Sequence, residues 1–173
     1  MKKVFTPLNE VTAYALKAGE EVLLDGVVYT ARDQAHQCLT QALKEKKPLP
    51  ISLSGQVFYY CGPTPALPGR PIGSCGPTTS ARMDDFTPLL LENGLKGMIG
   101  KGERSEEVIK AIKKYRAVYF LAYAGCGALI AEYIQSARLV AYKGLGPEAI
   151  YRLEVRNFPL IVGIDARGKS VFV

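Results

Sequence analysis

The sequence predicts a single α/β domain with a mixed sheet, covering residues 1–173. Strand and helix patterns alternate through the middle of the chain, which is typical of parallel strands joined by helices. Both ends are rich in β-forming residues, so we expect further strands there that complete the sheet. A chain of 173 residues, 48% of them hydrophobic, can bury one good core.

The first third of the chain predicts three elements: a helix over 9–17, a hairpin over 21–31 and a helix over 34–46. Asn9 is a suitable cap for the first helix, and Gly19 stops it. The dipeptide Asp25-Gly26 lies between two β-rich segments and is a strong signal for a two-residue hairpin turn. Asp33 is expected to cap the second helix.

The rest of the chain continues the alternation. The predicted elements are strands over 56–61, 97–99, 117–123 and 138–142, helices over 78–93, 105–116 and 127–136, and a β tail over 149–173 with a turn at 166–169. The segment 62–71 is too rich in proline for any strand pairing and is expected to form a rigid surface loop. In such a fold a site lies at the carboxyl ends of the central strands.

The net charge of +6 indicates acidic partners without identifying them. The densest basic stretch, 101–116, is interrupted by glutamates, so we interpret it as the solvated face of an amphipathic helix, Arg104 included. Nucleic-acid binding would require a longer basic stripe with exposed aromatic residues, and we expect none. No apolar run approaches the ~20 residues that span a bilayer, and no apolar signal core follows the N-terminus. We therefore expect a cytoplasmic protein without a membrane partner.

The segment 73–84 (GSCGPTTSARMD) carries the strongest functional signal. Glycines, a proline and small hydroxyl side chains precede an apolar-periodic run, which predicts a helix that begins near Thr78. The first turn of such a helix offers unpaired backbone N–H groups and a partial positive charge. Thr78 and Arg82 are four residues apart and would share one helix face. This combination suits a carboxylate or a phosphate.

Two further cations follow predicted strands. Arg32 comes after the β segment that ends at Ala31, and Lys101 comes after the strand that includes Ile99. Three cations beside a helix N-terminus match a dicarboxylate, with one guanidinium fork or helix dipole for each carboxylate. The alternative is that all three are ordinary solvated surface residues.

The four cysteines, Cys38, Cys61, Cys75 and Cys126, allow two interpretations. None of them forms a CxxC pair, which argues against a zinc ribbon or a thioredoxin-type motif. Buried free thiols are the simpler interpretation. Three cysteines from separate loops could still hold an iron–sulfur cluster, because cluster ligands need not be adjacent in sequence.

Three other features have simple structural interpretations. His36, the only histidine, is expected to cap a helix or to bond a neighbour of Arg32 rather than to act as a general base. Asp84 and Asp85 are adjacent, so their side chains diverge on a helix and do not form a catalytic pair. The segment 119–130 imitates a dinucleotide-binding motif but has Ile130 in place of the third glycine. We interpret it as a glycine turn before a tightly packed helix.

Three ordered motifs together resemble a known family. They are 31–36 (ARDQAH), 76–84 (GPTTSARMD) and 99–102 (IGKG), and the similarity extends through 145–150 and 162–165. These motifs are similar to those of the β subunit of class I iron–sulfur hydro-lyases. That family includes the oxygen-sensitive fumarases and the L-tartrate dehydratases.

The resemblance implies a fold, a reaction and a partner. The fold would be of the swivelling β/β/α type, and the reaction would add or remove water across a carbon–carbon bond of a C4 dicarboxylate. The family uses a 4Fe–4S cluster whose cysteine ligands belong to an α subunit. This chain would then bind no metal itself and would be inactive alone, in an assembly of two α and two β subunits.

The same resemblance implies residue roles. Arg32, Arg82 and Lys101 would hold the substrate carboxylates, while Thr78 would contact the substrate and act as the base for the carbon-bound proton. Because a neutral hydroxyl is a weak base, that role requires help from the helix dipole and the cations. The expected reaction is hydration of fumarate to malate. The alternatives are L-tartrate dehydration and, in another class, a non-catalytic anion-binding or assembly module.

Overall fold

Seven strands form one mixed sheet in the computed structural model, which describes residues 1–172. The strands are β1 (Lys2–Phe5), β2 (Glu21–Thr30), β3 (Val57–Tyr59), β4 (Gly97–Gly100), β5 (Val118–Leu121), β6 (Ile134–Ala141) and β7 (Ile150–Ile164). The α-helices are α1 (Glu10–Tyr14), α2 (Asp33–Lys44), α3 (Thr87–Glu92), α4 (Glu106–Tyr115) and α5 (Gly127–Ile130). Short 3-10 segments occupy Ser80–Met83, Ala131–Tyr133 and Lys143–Glu148.

The strand order is β1-β2-β3-β4-β5-β7-β6, and β2 also pairs with β7. This extra pairing closes β2, β3, β4, β5 and β7 into a ring, with β1 and β6 attached outside it. The pairings from β1 to β5 are parallel, whereas β7 runs antiparallel to β2, β5 and β6. The predicted α/β class with a mixed sheet is confirmed.

Two buried clusters occupy the two faces of the sheet. Along β3, Val57 and Tyr59 belong to one cluster and Phe58 to the other, as expected when successive side chains of a strand point to opposite faces. The second cluster also contains side chains of α2, α3 and α4, among them Leu39 and Leu90. Those helices therefore cover one face, and burial on both faces explains the continuous apolar run of β3.

Two predicted helices are present, each with a side-chain cap, of which the Asn9 cap was predicted and the Ser105 cap was not. The Asn9 side chain accepts a hydrogen bond from the backbone N of Thr12 (2.8 Å) at the start of α1. Ser105 does the same for α4, accepting from the backbone N of Val108 (3.3 Å). Within residues 1–172, no helix combines the length and apolarity that crossing a bilayer would require.

The hairpin predicted at Asp25-Gly26 is wrong, because β2 runs without a break through both residues. Gly26 has φ +115° and lies where the register of β2 against β7 shifts. A Cβ atom there would lie 2.4 Å from Oγ1 of Thr6, so the glycine also lets the end of β1 approach. The turn-like dipeptide thus marks a bulge inside one long strand.

The helix predicted over 78–93 is also wrong at its start. Thr78 lies outside any helix, and its backbone N donates to the carbonyl oxygen of Tyr60 (2.6 Å). The next residue, Thr79, forms a parallel β-bridge with Lys101. The helical backbone is divided between the 3-10 segment Ser80–Met83 and α3. Thr78 and Arg82 therefore do not share a helix face, and Thr78 has no place at a helix N-terminus.

The C-terminal prediction was partly correct. The helix expected over 127–136 stops at Ile130, and β6 begins four residues later, at Ile134. The β tail is confirmed in type, but its main element is the single 15-residue strand β7. The predicted turn is present over 165–168, where the backbone N of Gly168 donates to the carbonyl oxygen of Asp165 (2.9 Å).

Candidate functional site

The carboxyl ends of β2, β3 and β4 bring the predicted site residues to one edge of the sheet. Arg32 follows β2 and Lys101 follows β4. Thr78 reaches the same edge by pairing with Tyr60, the residue after β3, whose own backbone N donates to the carbonyl oxygen of Ile99 (2.8 Å). Adjacent parallel strands end together, so residues from distant parts of the chain become neighbours here.

Arg32 and Arg82 meet at the carboxylate of Asp33. The Nε atom of Arg82 donates to Oδ1 of Asp33 (3.0 Å), and Nε of Arg32 lies 3.7 Å from Oδ2. The Arg32 side chain is 25% exposed and that of Arg82 is 52% exposed, so both side chains are partly accessible to solvent. The structure thus joins two of the predicted cations through an acidic residue that the sequence analysis did not place in the site.

Asp33 was expected to cap α2, and this assignment is wrong. Asp33 is the first residue of α2, and its carboxylate is turned toward the arginines. The cap comes instead from Glu148, whose side-chain oxygens accept from the backbone N of Gln34 (3.3 Å) and from its Nε2 (2.9 Å). The segment that precedes β7 therefore holds the N-terminus of α2 in place beside the site.

The side chain of Arg32 lies across Gly62. A Cβ atom at this glycine would be 2.9 Å from Nη1 and 3.1 Å from Cδ of Arg32. It would also lie 3.4 Å from the carbonyl oxygen of Pro147, so the loop segments of Gly62 and Pro147 lie close together beside the arginine. Only a residue without a side chain allows Arg32 this close approach.

Lys101 is held through its backbone by Ser80. The backbone N of Ser80 donates to the carbonyl oxygen of Lys101 (3.0 Å), and the backbone N of Lys101 donates to Oγ of Ser80 (3.1 Å). The hydroxyl of Tyr119 lies 2.8 Å from Oγ of Ser80 and 2.8 Å from the carbonyl oxygen of Gly102. Because a carbonyl only accepts, Tyr119 donates to Gly102 and Ser80 donates to Tyr119. Burial raises the pKa of Tyr119 above its ordinary value, which keeps this donor protonated.

Arg104 lies beneath this corner and is buried, which corrects its assignment to a solvated helix face. Its Nε donates to Oδ1 of Asp84 (2.6 Å), and Nη2 donates to Oγ1 of Thr87 (2.8 Å). The guanidinium carbon lies 4.9 Å from the ring centre of Tyr119 and 5.3 Å from that of Tyr60. Burial alone would lower the pKa of Arg104, but the nearby Tyr60 and Asp84 raise it above its ordinary value.

The side chains of Asp84 and Asp85 lie in different environments, as predicted. Asp84 bonds Arg104 and also accepts from the backbone N of Ser105 (2.7 Å) through Oδ2. Asp85 is exposed at the surface. The two carboxylates therefore form no catalytic pair, and Asp84 links the 3-10 segment to the start of α4.

His36 is a buried hydrogen-bond partner of Arg32. Its Nδ1 lies 2.7 Å from the carbonyl oxygen of Arg32, which can only accept, so Nδ1 carries the proton. Its ring packs edge-on against Phe58 and Tyr60. Burial lowers the pKa of His36 to about 4, so the ring is neutral at physiological pH. The prediction of a hydrogen-bonding role is confirmed, although the acceptor is Arg32 itself.

Cys61 and Cys75 are buried free thiols that lie side by side. Burial raises the pKa of the Cys61 thiol well above its ordinary value, and a hydrogen bond with Cys75 raises it further. Iron–sulfur ligation requires thiolates, which this environment disfavours. Over residues 1–172, no group of three or more histidine, cysteine or acidic side chains is placed to hold a metal ion. The described residues therefore do not fit an iron–sulfur cluster.

The glycine turn before α5 is a packing feature. A Cβ atom at Gly127 would lie 2.3 Å from Oγ of Ser74 and 2.9 Å from the backbone N of Gly76. The backbone N of Cys75 donates to the carbonyl oxygen of Gly127 (3.1 Å). This close contact fits the interpretation of a tightly packed turn, and it joins the loop after β5 to the segment that leads to Thr78.

Comparison with known proteins gives a consistent picture. A family model described as fumarase C-terminus matches residues 4–173. A Methanocaldococcus jannaschii protein provisionally named L(+)-tartrate dehydratase subunit beta is 37% identical over 99% of this chain and 91% of its own length. Mitochondrial fumarate hydratase 1 of Leishmania major is 39% identical over 95% of this chain but only 30% of its own length. The anaerobic class I fumarate hydratase of Escherichia coli is 35% identical over 96% of this chain and 31% of its own length.

The chain therefore spans nearly all of the tartrate dehydratase relative but less than a third of these two fumarate hydratases. Both kinds of relative are named after hydro-lyase activities. Because the family model covers nearly the whole chain, the protein belongs to the fumarase C-terminus family.

Proposed function

We propose that this chain is the β subunit of a two-subunit iron–sulfur hydro-lyase that adds or removes water across a carbon–carbon bond of a C4 dicarboxylate. The relative of matching length carries a name that specifies a β subunit. In the two fumarate hydratases the matched part is only about a third of a longer chain. In this proposal an α subunit provides what the rest of those chains provides, the β subunit is inactive alone, and two copies of each assemble.

The observation that carries the proposal is the meeting of cations from separate segments at one sheet edge. Arg32 and Arg82 share Asp33, and Lys101 is fixed one strand away from the Tyr60–Thr78 pairing. In the proposed complex the three cations bind the two substrate carboxylates. Guanidinium groups suit this task because their planar donors match a carboxylate in pairs.

Thr78 is proposed to contact the substrate and to accept the carbon-bound proton. Its backbone N–H is already bonded to Tyr60, so no helix dipole assists the hydroxyl. The assistance must come from neighbouring cations, and Lys101 lies across the β-bridge that involves the next residue, Thr79. A cation beside a hydroxyl lowers the pKa of that hydroxyl and so increases the fraction in the ionised form, which is the form that accepts the proton.

Class I fumarate hydratases are iron–sulfur enzymes, and we place the 4Fe–4S cluster in the α subunit because Cys61 and Cys75 do not fit it. When bound there, the cluster supplies a Lewis-acid iron for the departing hydroxyl. We also propose a cytoplasmic location. Two neighbouring thiols that stay unpaired fit a reducing compartment.

Fumarate is the proposed substrate and L-tartrate the second candidate. The tartrate candidate is favoured by one observation, the near-complete coverage of a subunit with that name. Identities of 37% and 39% do not separate the two substrates. A buried polar group that meets the extra hydroxyls of tartrate could discriminate by orders of magnitude, so direct turnover is the decisive comparison.

The test is anaerobic co-expression with the cognate α subunit, followed by turnover of fumarate, malate and L-tartrate. We expect Arg82→Ala to lower kcat/KM by roughly 100-fold or more, since it removes one partner of a charged hydrogen-bonded contact. Thr78→Ser keeps a hydroxyl and should retain part of the activity. The matched control is Arg138→Ala on the exposed face of β6, which should act like the wild type. Wild-type kinetics in Arg82→Ala would refute the proposed site.

A further inference from the structure

Asp33 is the one acidic side chain described between the proposed substrate-binding arginines. Its Oδ1 accepts from Nε of Arg82 at 3.0 Å, and its Oδ2 faces Nε of Arg32 at 3.7 Å. That Oδ2 and that Nε are both buried, and neither has a hydrogen-bond partner among residues 1–172. The carboxylate is therefore committed to the space between the two guanidinium groups, although the proposed reaction gives it no task.

Both contacts use the Nε atoms of the arginines. Nε lies on the inner side of a guanidinium group, whereas the two Nη amino groups form its outer end. Within the described residues, the recorded hydrogen bond of Arg82 uses Nε alone. Because the Asp33 carboxylate faces the Nε atoms, the Nη amino groups of both arginines remain oriented toward a ligand.

Asp33 also changes the charge of the site. Arg32, Arg82 and Lys101 bring three positive charges to the sheet edge, and Asp33 brings one negative charge. The net charge of two matches a dicarboxylate whose two groups are ionised. Without Asp33 the same cations would attract a tricarboxylate or any other highly charged anion more strongly.

We propose that Asp33 is a positioning residue that sets both the orientation of the two arginines and the charge preference of the site for dianions. This inference rests on the proposed function, since it concerns the same ligand. If the Asp33 charge were removed, the extra positive charge of the site would increase the affinity for an anion in proportion to the charge of that anion. At about 6 Å and an effective dielectric constant of about 40, one added charge changes affinity about tenfold for each charge on the ligand.

The test compares three ligands that differ in charge: methyl hemisuccinate, succinate and citrate. Calorimetric titration of each into the assembled α–β complex gives its dissociation constant without requiring turnover. Asp33→Asn keeps an oxygen acceptor for Arg82 but removes the charge. In this variant we expect the affinity ratio of succinate to methyl hemisuccinate to increase about tenfold, and that of citrate to succinate likewise. Ratios cancel any uniform loss of binding.

The matched control is Asp85→Asn, which makes the same charge change at an exposed residue close in sequence to Arg82. It should leave all ratios within about twofold of the wild type, because exposed charges are screened. A second variant, Asp33→Glu, keeps the charge but moves the carboxylate by one methylene. We expect wild-type ligand ratios with a kcat lowered roughly tenfold, because the arginines shift. This variant also serves if Asp33→Asn does not fold.

Unchanged ratios in Asp33→Asn, an equal change in Asp85→Asn, or wild-type kcat in Asp33→Glu would overturn the inference. Its failure is distinguishable from failure of the proposed function. A wild-type complex that binds succinate with Asp33-dependent ratios but turns over no dicarboxylate contradicts only the proposed reaction. Turnover by the wild type together with unchanged ratios contradicts only the role of Asp33. A wild type that neither binds succinate nor turns over contradicts both.

Discussion

Replacement of Arg104 by methionine should destabilise the chain strongly, and a second substitution should partly restore it. Arg104 is 7% exposed and is paired with Asp84 at 2.6 Å. Removing one partner of a buried ion pair leaves the other charge uncompensated, at a cost of about 3–5 kcal/mol. Asp84→Asn in the Arg104→Met background removes that charge and keeps an acceptor for the backbone N of Ser105. The double variant should recover about 1–2 kcal/mol relative to Arg104→Met.

Urea unfolding of the purified chain, followed by far-UV circular dichroism, measures these free energies. The control is Arg116→Met, the same substitution in the exposed pair of Arg116 and Glu10, whose side chains are 57% and 59% exposed. That change should cost less than about 1 kcal/mol. A double variant less stable than Arg104→Met, or equal losses in Arg104→Met and Arg116→Met, would refute the assignment of a buried, charge-compensating pair.

Two further variants test the packing and the titration of the site. Gly100→Ala places a Cβ atom 1.9 Å from Oγ of Ser80 and should cost roughly 1–3 kcal/mol in urea unfolding, whereas Gly144→Ala, with open space around it, should be nearly neutral. Because burial lowers the pKa of His36 to about 4, unfolded chains bind a proton that folded chains do not between that value and the ordinary histidine pKa of 6.5. Stability should therefore fall as pH falls through this window, by about 1.4 kcal/mol per pH unit from this group. His36→Phe should show a shallower loss between about pH 7 and about pH 5, and parallel profiles would contradict the assignment.

Sequence patterns correctly predicted the features that depend only on neighbouring residues, such as the Asn9 helix cap and strand ends. Asn9 and Ser105 cap their helices because a side chain three residues from a free N–H needs no distant partner. Strand ends were predicted near Arg32 and Lys101 because both residues follow runs that are buried and β-forming. The meeting of these residues at one edge follows from parallel pairing, which the β-α alternation indicates.

The errors arose where pairing with distant segments outweighed local preference. Asp25-Gly26 has the composition of a turn, yet pairing with β1 and β7 on either side keeps β2 extended through it. The segment around Thr78 has the composition of a helix start, but the backbone of Thr78 pairs with Tyr60 instead. Composition within a short window carries no information about these partners.

The missed residues of the site are those whose role depends on a partner far along the chain. Asp33 was assigned from its position before a helix, but Glu148 provides the cap and frees Asp33 for Arg82. Arg104 was grouped with its charged neighbours, although Asp84 and two tyrosine rings bury it. The position of Asp33 directly after Arg32 is a local signal for its role. No local signal marks Arg104 as buried.

The closed ring of strands fixes the distance between two residues of the candidate site. Arg32 and Lys101 stand at the ends of β2 and β4, two ladder steps apart, which corresponds to about 10 Å between backbones. Backbone hydrogen bonds fix those steps on every side, so a bound molecule cannot adjust the gap by sliding one strand. Adaptation to a ligand then depends on the long side chains of Arg32, Arg82 and Lys101, because the spacing of the strands that carry Arg32 and Lys101 is fixed.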